Sequence, residues 1–98
     1  MTIHQEKNGT ALTVALEGRL DTMTAPSLEE TLKDALEGVT ELTFDFEKLD
    51  YISSAGLRVL LAAQKTMNRQ GVMKVGNANE IIMEIFEVTG FSDILTIE

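Results

Sequence analysis

Two adjacent serines, Ser53 and Ser54, stand where an apolar, strand-like run of residues gives way to a helical one. A serine hydroxyl in such a place can act as a nucleophile, cap the helix or accept a phosphate group. A nucleophilic serine needs a base and a sharp turn. The sequence Ile-Ser-Ser-Ala-Gly lacks the first glycine of the Gly-x-Ser-x-Gly elbow, and the only histidine, His4, lies near the N-terminus. The sequence therefore favours a cap or a phosphate acceptor over a catalytic serine.

No other enzyme signature is present in the sequence. The glycine patterns that hold nucleotide phosphates are absent, and the chain has no cysteine. Glu80, Glu84 and Glu87 share one predicted helical face, but this set includes no histidine and is most simply a solvated stripe. We therefore expect no enzymatic activity, no metal site and no cofactor.

Ser54 is the serine whose position suits a phosphate. We predict that it is the N-cap of the following helix, whose first backbone N–H groups have no partner within the helix. These groups and the positive end of the helix dipole attract anions, so a phosphate on Ser54 could be held without unfolding the chain. Arg58, one turn later, projects to a similar side and could contact that phosphate.

Composition and charge limit the partners that the chain can have. Its 98 residues, 44% of them hydrophobic and 5% aromatic, suffice for one domain with an aliphatic core. A formal net charge of −8 argues against nucleic acid or an anionic membrane surface as the main partner and suits a basic protein surface. No secretory signal or membrane span is evident, so we expect a cytoplasmic protein without direct membrane insertion.

The charges are distributed unevenly. All charged residues between Arg58 and Lys74 are basic, whereas all those from Asn77 onward are acidic. This pattern predicts two solvated helix faces that attract each other weakly.

The serines lie inside a regular alternation of predicted strands and helices. Hydrophobic spacing, caps and turn residues predict these elements: a strand near Ile3–Glu6, a turn at Asn8-Gly9, a strand through Leu12–Leu16, a helix that is capped within Thr22–Pro26 and ends near Gly38, a strand through Leu42–Phe46, a helix from Ala55 to about Gln70, a strand at Val72–Val75, a helix from Asn79 to Gly90 and a short strand or tail at Ile94–Ile97. The order β-β-α-β-α-β-α-β predicts an α/β fold, bordering on α+β. We expect a mixed or mainly parallel sheet of four to five strands, with helices mainly covering one face.

Four segments, in order along the chain, resemble motifs of the STAS domain of anti-sigma factor antagonists. They are Gly18–Asp21, Leu42–Phe46, Tyr51–Leu57 and Ile85–Phe91. The resemblance spans nearly the whole chain and implies a single STAS domain over residues 1–98.

The third of these segments resembles the phosphorylation loop of that family, which usually reads Asp-Ser-Ser/Thr-Gly-Leu. Aligned on Gly56 and Leu57, this chain has Ser53 at the aspartate position and Ser54 at the position of the phosphorylated serine. Ala55 replaces the second hydroxyl residue. The resemblance implies phosphorylation of Ser54, with Ser53 as a secondary candidate.

The resemblance also implies partner switching. The unmodified protein would bind an anti-sigma factor that is also a serine kinase and so release the sigma factor; phosphorylation would reverse this, and a serine phosphatase would reset the switch. The implied partner-binding residues are Asp21, Thr22, Ser53, Ser54, Ala55, Gly56, Leu57 and Arg58. Arg58 stands where many family members have glycine, so its role is inferred from its position alone. Nothing in the sequence requires a dimer, and we expect a monomer.

Two other readings remain open from the sequence. The chain could be a STAS subunit that is never phosphorylated, such as the small component of a lipid-transport ABC system, in which the same loop contacts an ATPase. It could also be an enzyme whose site uses Ser54. Phosphate transfer to Ser54 would distinguish a switch from a STAS subunit that is never phosphorylated. A hydrolase-substrate screen that compares the wild type with Ser54→Ala would detect an enzyme.

Overall fold

The computed structural model describes residues 1–98. The chain forms five strands, three α-helices and one 3₁₀ turn: β1 (Thr2–Asn8), β2 (Ala11–Leu20), α1 (Ala25–Ala35), β3 (Glu41–Ile52), α2 (Ser54–Gln70), β4 (Val72–Gly76), α3 (Glu80–Thr89), the 3₁₀ turn (Phe91–Asp93) and β5 (Thr96–Ile97). Apart from the 3₁₀ turn, this is the predicted order of elements.

The strands form one mixed sheet in the order β1-β2-β3-β4-β5. The hairpin partners β1 and β2 are antiparallel, and every other neighbouring pair is parallel. Parallel neighbours need a crossover connection, and α1, α2 and α3 supply one each. The predicted α/β fold with a mixed sheet is confirmed.

One face of the sheet is buried beneath the helices. Along β3, the side chains of Leu42, Phe44 and Phe46 are fully buried, whereas Thr43 and Asp45 between them are only half-buried. This is the alternation expected when one face of a strand packs on a core and the other faces water. Aliphatic residues of all three helices join these side chains in one hydrophobic cluster.

β3 is longer than predicted. Two bulges interrupt the alternation of buried and exposed side chains, so the sequence pattern identified only the first half of the strand. Its pairing with β2 steps from Asp45 to Lys48 and later from Leu49 to Tyr51, so β3 has an extra residue at each place. Each extra residue shifts the side-chain alternation by one position. For this reason the buried residues after Phe46 are Leu49 and Ile52, and the strand continues through Glu47 and Lys48 to the serines.

The turn after β1 lies one residue later than predicted. Asn8 is still paired with Ala11, so the connecting residues are Gly9 and Thr10. Gly9 has a φ of +64°, which glycine adopts without strain. Asn8 has no positive φ, contrary to the prediction that both Asn8 and Gly9 would form the turn.

The basic face of α2 and the acidic face of α3, which were predicted to attract each other weakly, form no ion pair with each other. The pairs that form are His4–Glu17, Arg19–Asp21, Glu30–Lys33 and Lys74–Glu98. Arg58, Lys65 and Arg69 are exposed and have no acidic partner within ion-pair distance. These α2 cations are therefore available to groups outside the chain.

Candidate functional site

The junction between β3 and α2 places the two serines at the carboxyl edge of the parallel strands. Ser53 has extended backbone angles, with φ −100° and ψ 176°, and occupies the N-cap position, while Ser54 is the first residue of the helix. The prediction that Ser54 is the N-cap is therefore wrong by one residue. The backbone N–H of Ser53 donates to the carbonyl oxygen of Leu20 at 2.9 Å, which ties the junction to the end of β2. This sheet-like bond holds Ser53 outside the helix and so sets where α2 begins.

The hydroxyl groups of the two serines have opposite environments. The hydroxyl oxygen of Ser53 is buried and has no hydrogen-bond partner. The Ser54 residue is exposed. A modifying enzyme must reach the oxygen atom that it modifies. Ser54 is accessible to such an enzyme, whereas the Ser53 hydroxyl is enclosed.

The first turn of α2 keeps free backbone donors. The first bond within the helix runs from the N–H of Leu57 to the carbonyl oxygen of Ser53, at 2.9 Å. The N–H groups of Ser54, Ala55 and Gly56 precede it and have no partner within the helix, and the Ser53 side chain makes no capping hydrogen bond to them. The helix therefore begins with donors that a group outside the chain can use.

Gly56 brings this turn close to the sheet. A Cβ atom at Gly56 would lie 2.7 Å from Cγ of Leu20 and 2.8 Å from Cγ1 of Ile52. Both side chains are buried, so neither can move aside freely. Leu57 is also buried. Of the predicted partner-binding residues, Gly56 and Leu57 thus position the turn, and neither presents a large surface to a partner.

The neighbouring connection, between β2 and α1, contains Asp21 and Thr22 and is held by side-chain hydrogen bonds. Oδ1 of Asp21 accepts from the N–H of Met23 at 3.0 Å and of Thr24 at 3.2 Å. The Thr24 hydroxyl oxygen accepts from the N–H of Asp21 at 2.8 Å and donates to the carbonyl oxygen of Arg19 at 2.7 Å. The residues from 19 to 24 form a compact, internally bonded turn.

The charge on Asp21 is stabilised within this turn. Partial removal from water alone would raise the pKa of the Asp21 carboxyl. Hydrogen bonds from Thr24 and Met23, together with the charge of Arg19, outweigh that effect and hold the pKa below its ordinary value of 3.8. The guanidinium of Arg19 lies 3.7 Å from the Asp21 carboxylate and 4.5 Å above the ring centroid of Tyr51. Arg19 thus links the β2–α1 turn to β3.

The two connections meet at a shallow groove on the surface. Its lining includes Thr22 and Pro26 from the first connection and the start of α1, and Ala55 and Arg58 from α2. The structure therefore brings Thr22, Ala55 and Arg58 together from separate parts of the sequence.

Two residues beside this groove were not among the predicted site residues. Thr24 organises the Asp21 turn through its hydroxyl, and Met23 is 86% exposed at the tip of the connection. Asp21 and Thr24, three residues apart, are the sequence signal for such a turn. The only sequence signal for Met23 as a surface residue of the site is its position as an apolar residue between two threonines.

His4 lies away from the serines, on β1. Its Nε2 atom contacts Oε2 of Glu17 on the neighbouring strand. The hydrogen bond from His4 is the main reason that the pKa of Glu17 is lowered from its ordinary value of 4.5, with a smaller contribution from the charge of Lys48. This pair links the two strands of the first hairpin and does not belong to the site at Ser54.

Comparisons with known proteins agree with this architecture. A family model described as the STAS domain matches residues 2–98. The chain is 29% identical over 98 residues to the anti-sigma-B factor antagonist of Bacillus subtilis, with 99% of this chain and 90% of that protein covered. It is 30% identical over 97 residues to the anti-sigma-B factor antagonist of Listeria monocytogenes serovar 1/2a, with 96% and 84% covered.

Solved structures show the same fold. The anti-sigma factor antagonist SpoIIAA in its unphosphorylated form superposes with a TM-score of 0.79 at 18% identity, over 99% of this chain and 87% of that chain. The phosphorylated form of Bacillus SpoIIAA superposes with a TM-score of 0.77 at 18% identity, over 99% and 91%. The chain belongs to the STAS domain family, among its anti-sigma factor antagonists. None of its helices has both the length and the apolar character needed to cross a bilayer.

Proposed function

We propose that this chain, acting as one STAS domain over residues 1–98, is an anti-sigma factor antagonist controlled by phosphorylation of Ser54. In its unmodified form it binds an anti-sigma factor that is also a serine kinase, and the sigma factor is released. Phosphorylation of Ser54 ends that binding, and a serine phosphatase restores it. The observation that carries this proposal is the contrast between the exposed Ser54 and the buried, enclosed hydroxyl of Ser53.

The start of α2 suits a phosphorylated serine electrostatically. A phosphate on Ser54 would lie at the positive end of a helix of 17 residues, beside backbone N–H groups without internal partners. Arg58 is exposed one turn later and has no acidic partner of its own. These features support phosphorylation without rearrangement of the fold.

The same phosphate would disrupt a close contact with another protein. It adds a charge of about −1.5 to −2 at pH 7, together with hydrated oxygen atoms that lose water in an interface. A hundredfold loss of affinity requires only about 2.7 kcal/mol. Repulsion and desolvation at one residue are sufficient for an effect of this size, so the switch needs no refolding.

The relatives support the class of function. Two of them are named anti-sigma-B factor antagonists, and SpoIIAA, which shares the fold, has been solved both unphosphorylated and phosphorylated. A fold of this kind therefore accommodates phosphorylation.

Incubation with the cognate kinase and ATP, followed by intact-mass measurement and phosphopeptide mapping, tests the acceptor. We expect one phosphate on the wild type and on Ser53→Ala, and none on Ser54→Ala. Phosphate on Ser53, or on Ser54→Ala, would contradict the assignment. Binding to the kinase without any phosphate transfer would instead indicate a STAS subunit that does not switch.

Titration calorimetry tests the consequence for binding. We expect Ser54→Asp to fold normally and to bind the kinase about a hundredfold more weakly than the wild type, and Ser54→Ala to bind with unchanged affinity. The matched control is Ser27→Asp, which places the same charge on an exposed position of α1. Equal affinities for Ser54→Asp and the wild type would overturn the proposal.

A further inference from the structure

The outer side of α3 carries apolar side chains that remain largely outside the core, although Ile85 packs partly against it. Ile82 and Phe86 are fully buried, whereas Ile81 is 58% exposed, Val88 is 77% exposed and Ile85 is half-buried. Positions 81, 85 and 88 are four and three residues apart, which aligns them along one side of a helix. These three residues, Ile81, Ile85 and Val88, are called the α3 stripe below.

Acidic side chains border the α3 stripe. At about 100° per residue, Glu84 lies directly beside it, and Glu80 and Glu87 lie farther round the helix. All of these are exposed, and none forms an ion pair. From Asn77 to the last residue, the chain has no lysine or arginine. The α3 stripe is therefore an apolar strip beside a negative surface that no residue of its own segment neutralises.

The charge limits what can cover this stripe. A symmetric contact with a second copy would place the same glutamates opposite each other, and like charges in an interface are costly. An anionic lipid surface would be repelled for the same reason. A protein surface with an apolar centre and lysines or arginines at its edge satisfies both parts of the α3 surface.

We propose that the α3 stripe is a second docking surface, and that it binds a cationic amphipathic helix of a partner protein. Apolar residues spaced four and three apart on one helix are the usual anchors of such helix-against-helix contacts. The stripe shares no residue with the groove beside Ser54. We therefore expect docking on α3 to be independent of phosphorylation of Ser54.

A synthetic peptide tests this proposal on the full chain. The probe is a helix of about 18 residues, about 27 Å long, with leucines along one side and lysines on both flanks. One control peptide has glutamates in place of the lysines, and another has the same composition in scrambled order. Binding is measured by amide NMR titration, which gives both the affinity and the residues affected.

We expect the largest shift changes in α3 and no binding of either control peptide. The double variant Ile81→Ser/Val88→Ser should bind at least tenfold more weakly. The matched control Met23→Ser/Val72→Ser also removes two exposed apolar side chains and should bind like the wild type. Glu80→Gln/Glu84→Gln should weaken binding and reduce its dependence on salt. Ser54→Asp should leave the affinity unchanged, so this test and the kinase test succeed or fail separately.

Three results would overturn the proposal. The first is shift changes that spread over the surface or concentrate between α1 and α2. The second is wild-type affinity in Ile81→Ser/Val88→Ser. The third is self-association of the wild type, measured by sedimentation, that is absent in Ile81→Ser/Val88→Ser. The stripe would then bind a second copy of the chain.

Discussion

The two connections at the carboxyl edge of the sheet, β2–α1 and β3–α2, use their polar groups in opposite ways. In the first, Asp21 and Thr24 bond to each other and to nearby backbone groups. In the second, the Ser53 hydroxyl makes no hydrogen bond, and the helix begins with free N–H groups. The first connection is a closed turn that needs nothing further, whereas the second retains donors for an acceptor outside the chain. A phosphate is such an acceptor, so the difference between the two segments supports the proposed role of the second connection.

The largest effect is expected where the second connection packs against the end of the first. Gly56→Val should lower the free energy of unfolding by about 3 kcal/mol, because the new side chain overlaps buried Leu20 and Ile52. The measurement is urea denaturation. Ala62→Val, at an exposed position farther along α2, is the matched control and should cost about 0.5 kcal/mol from helix propensity alone. Equal losses in the two variants would show that the close contact at Gly56 is unimportant.

A smaller effect is expected from the charge within the first connection. Because the pKa of Asp21 is lower in the folded chain than its ordinary value of 3.8, its carboxylate stabilises the fold above that pH. This contribution is lost as the pH falls through the lowered pKa. The free energy of unfolding, measured with urea at pH 6 and at pH 3, should therefore fall less between these two pH values for Asp21→Asn than for the wild type.

The control for this experiment must account for a second carboxylate. The pKa of Glu17 is also lowered, mainly by its hydrogen bond with His4, so Glu17→Gln should reduce the acid sensitivity as well. Asp34→Asn removes an exposed carboxylate of α1 and shows how much of any change comes from the loss of one negative charge alone. If Asp21→Asn follows the wild-type curve at every pH, the hydrogen bonds of the first connection do not stabilise its charge.

The smallest effect is expected at Ser53. An N-cap serine that bonds to its helix costs about 1 kcal/mol when it is replaced by alanine, but Ser53 makes no such bond. Ser53→Ala should therefore change the free energy of unfolding by less than about 0.5 kcal/mol. Asn79→Ala is the reference variant, because Asn79 caps α3 by accepting from the N–H of Ile82 at 2.8 Å. Asn79 also donates to the carbonyl oxygens of Leu49 and Asp50, so this variant should lose at least about 1 kcal/mol. Equal losses would mean that Ser53 does cap α2.

Several features of the fold could be predicted from the sequence alone. The alternation of Leu42, Phe44 and Phe46, the Asn79 cap and the end of α3 at Gly90 follow from local spacing and side-chain chemistry, and each agrees with the structure. These features depend on residues that are close along the chain, so sequence patterns are sufficient to predict them.

Features set by distant residues could not be predicted in this way. Both serines are good caps, and the choice of Ser53 depends on its backbone bond to Leu20, 33 positions earlier in the sequence. The extension of β3 depends on bulges opposite β2, which break the alternation that identifies a strand. The groove that unites Thr22 with Arg58 requires β2 and β3 to end side by side. In each case the decisive contact lies across the sheet.

The contact of Gly56 with Leu20 and Ile52 has a consequence for association. A flexible loop loses conformational entropy when a partner orders it, at about 1 to 2 kcal/mol for each backbone residue that becomes fixed. Here the residue after Ile52 is already bonded to Leu20, and the next turn is helical and pressed against the sheet. A protein that docked on Ser54 would therefore meet a surface whose order was established during folding, and little of the binding free energy would be lost in immobilising the chain.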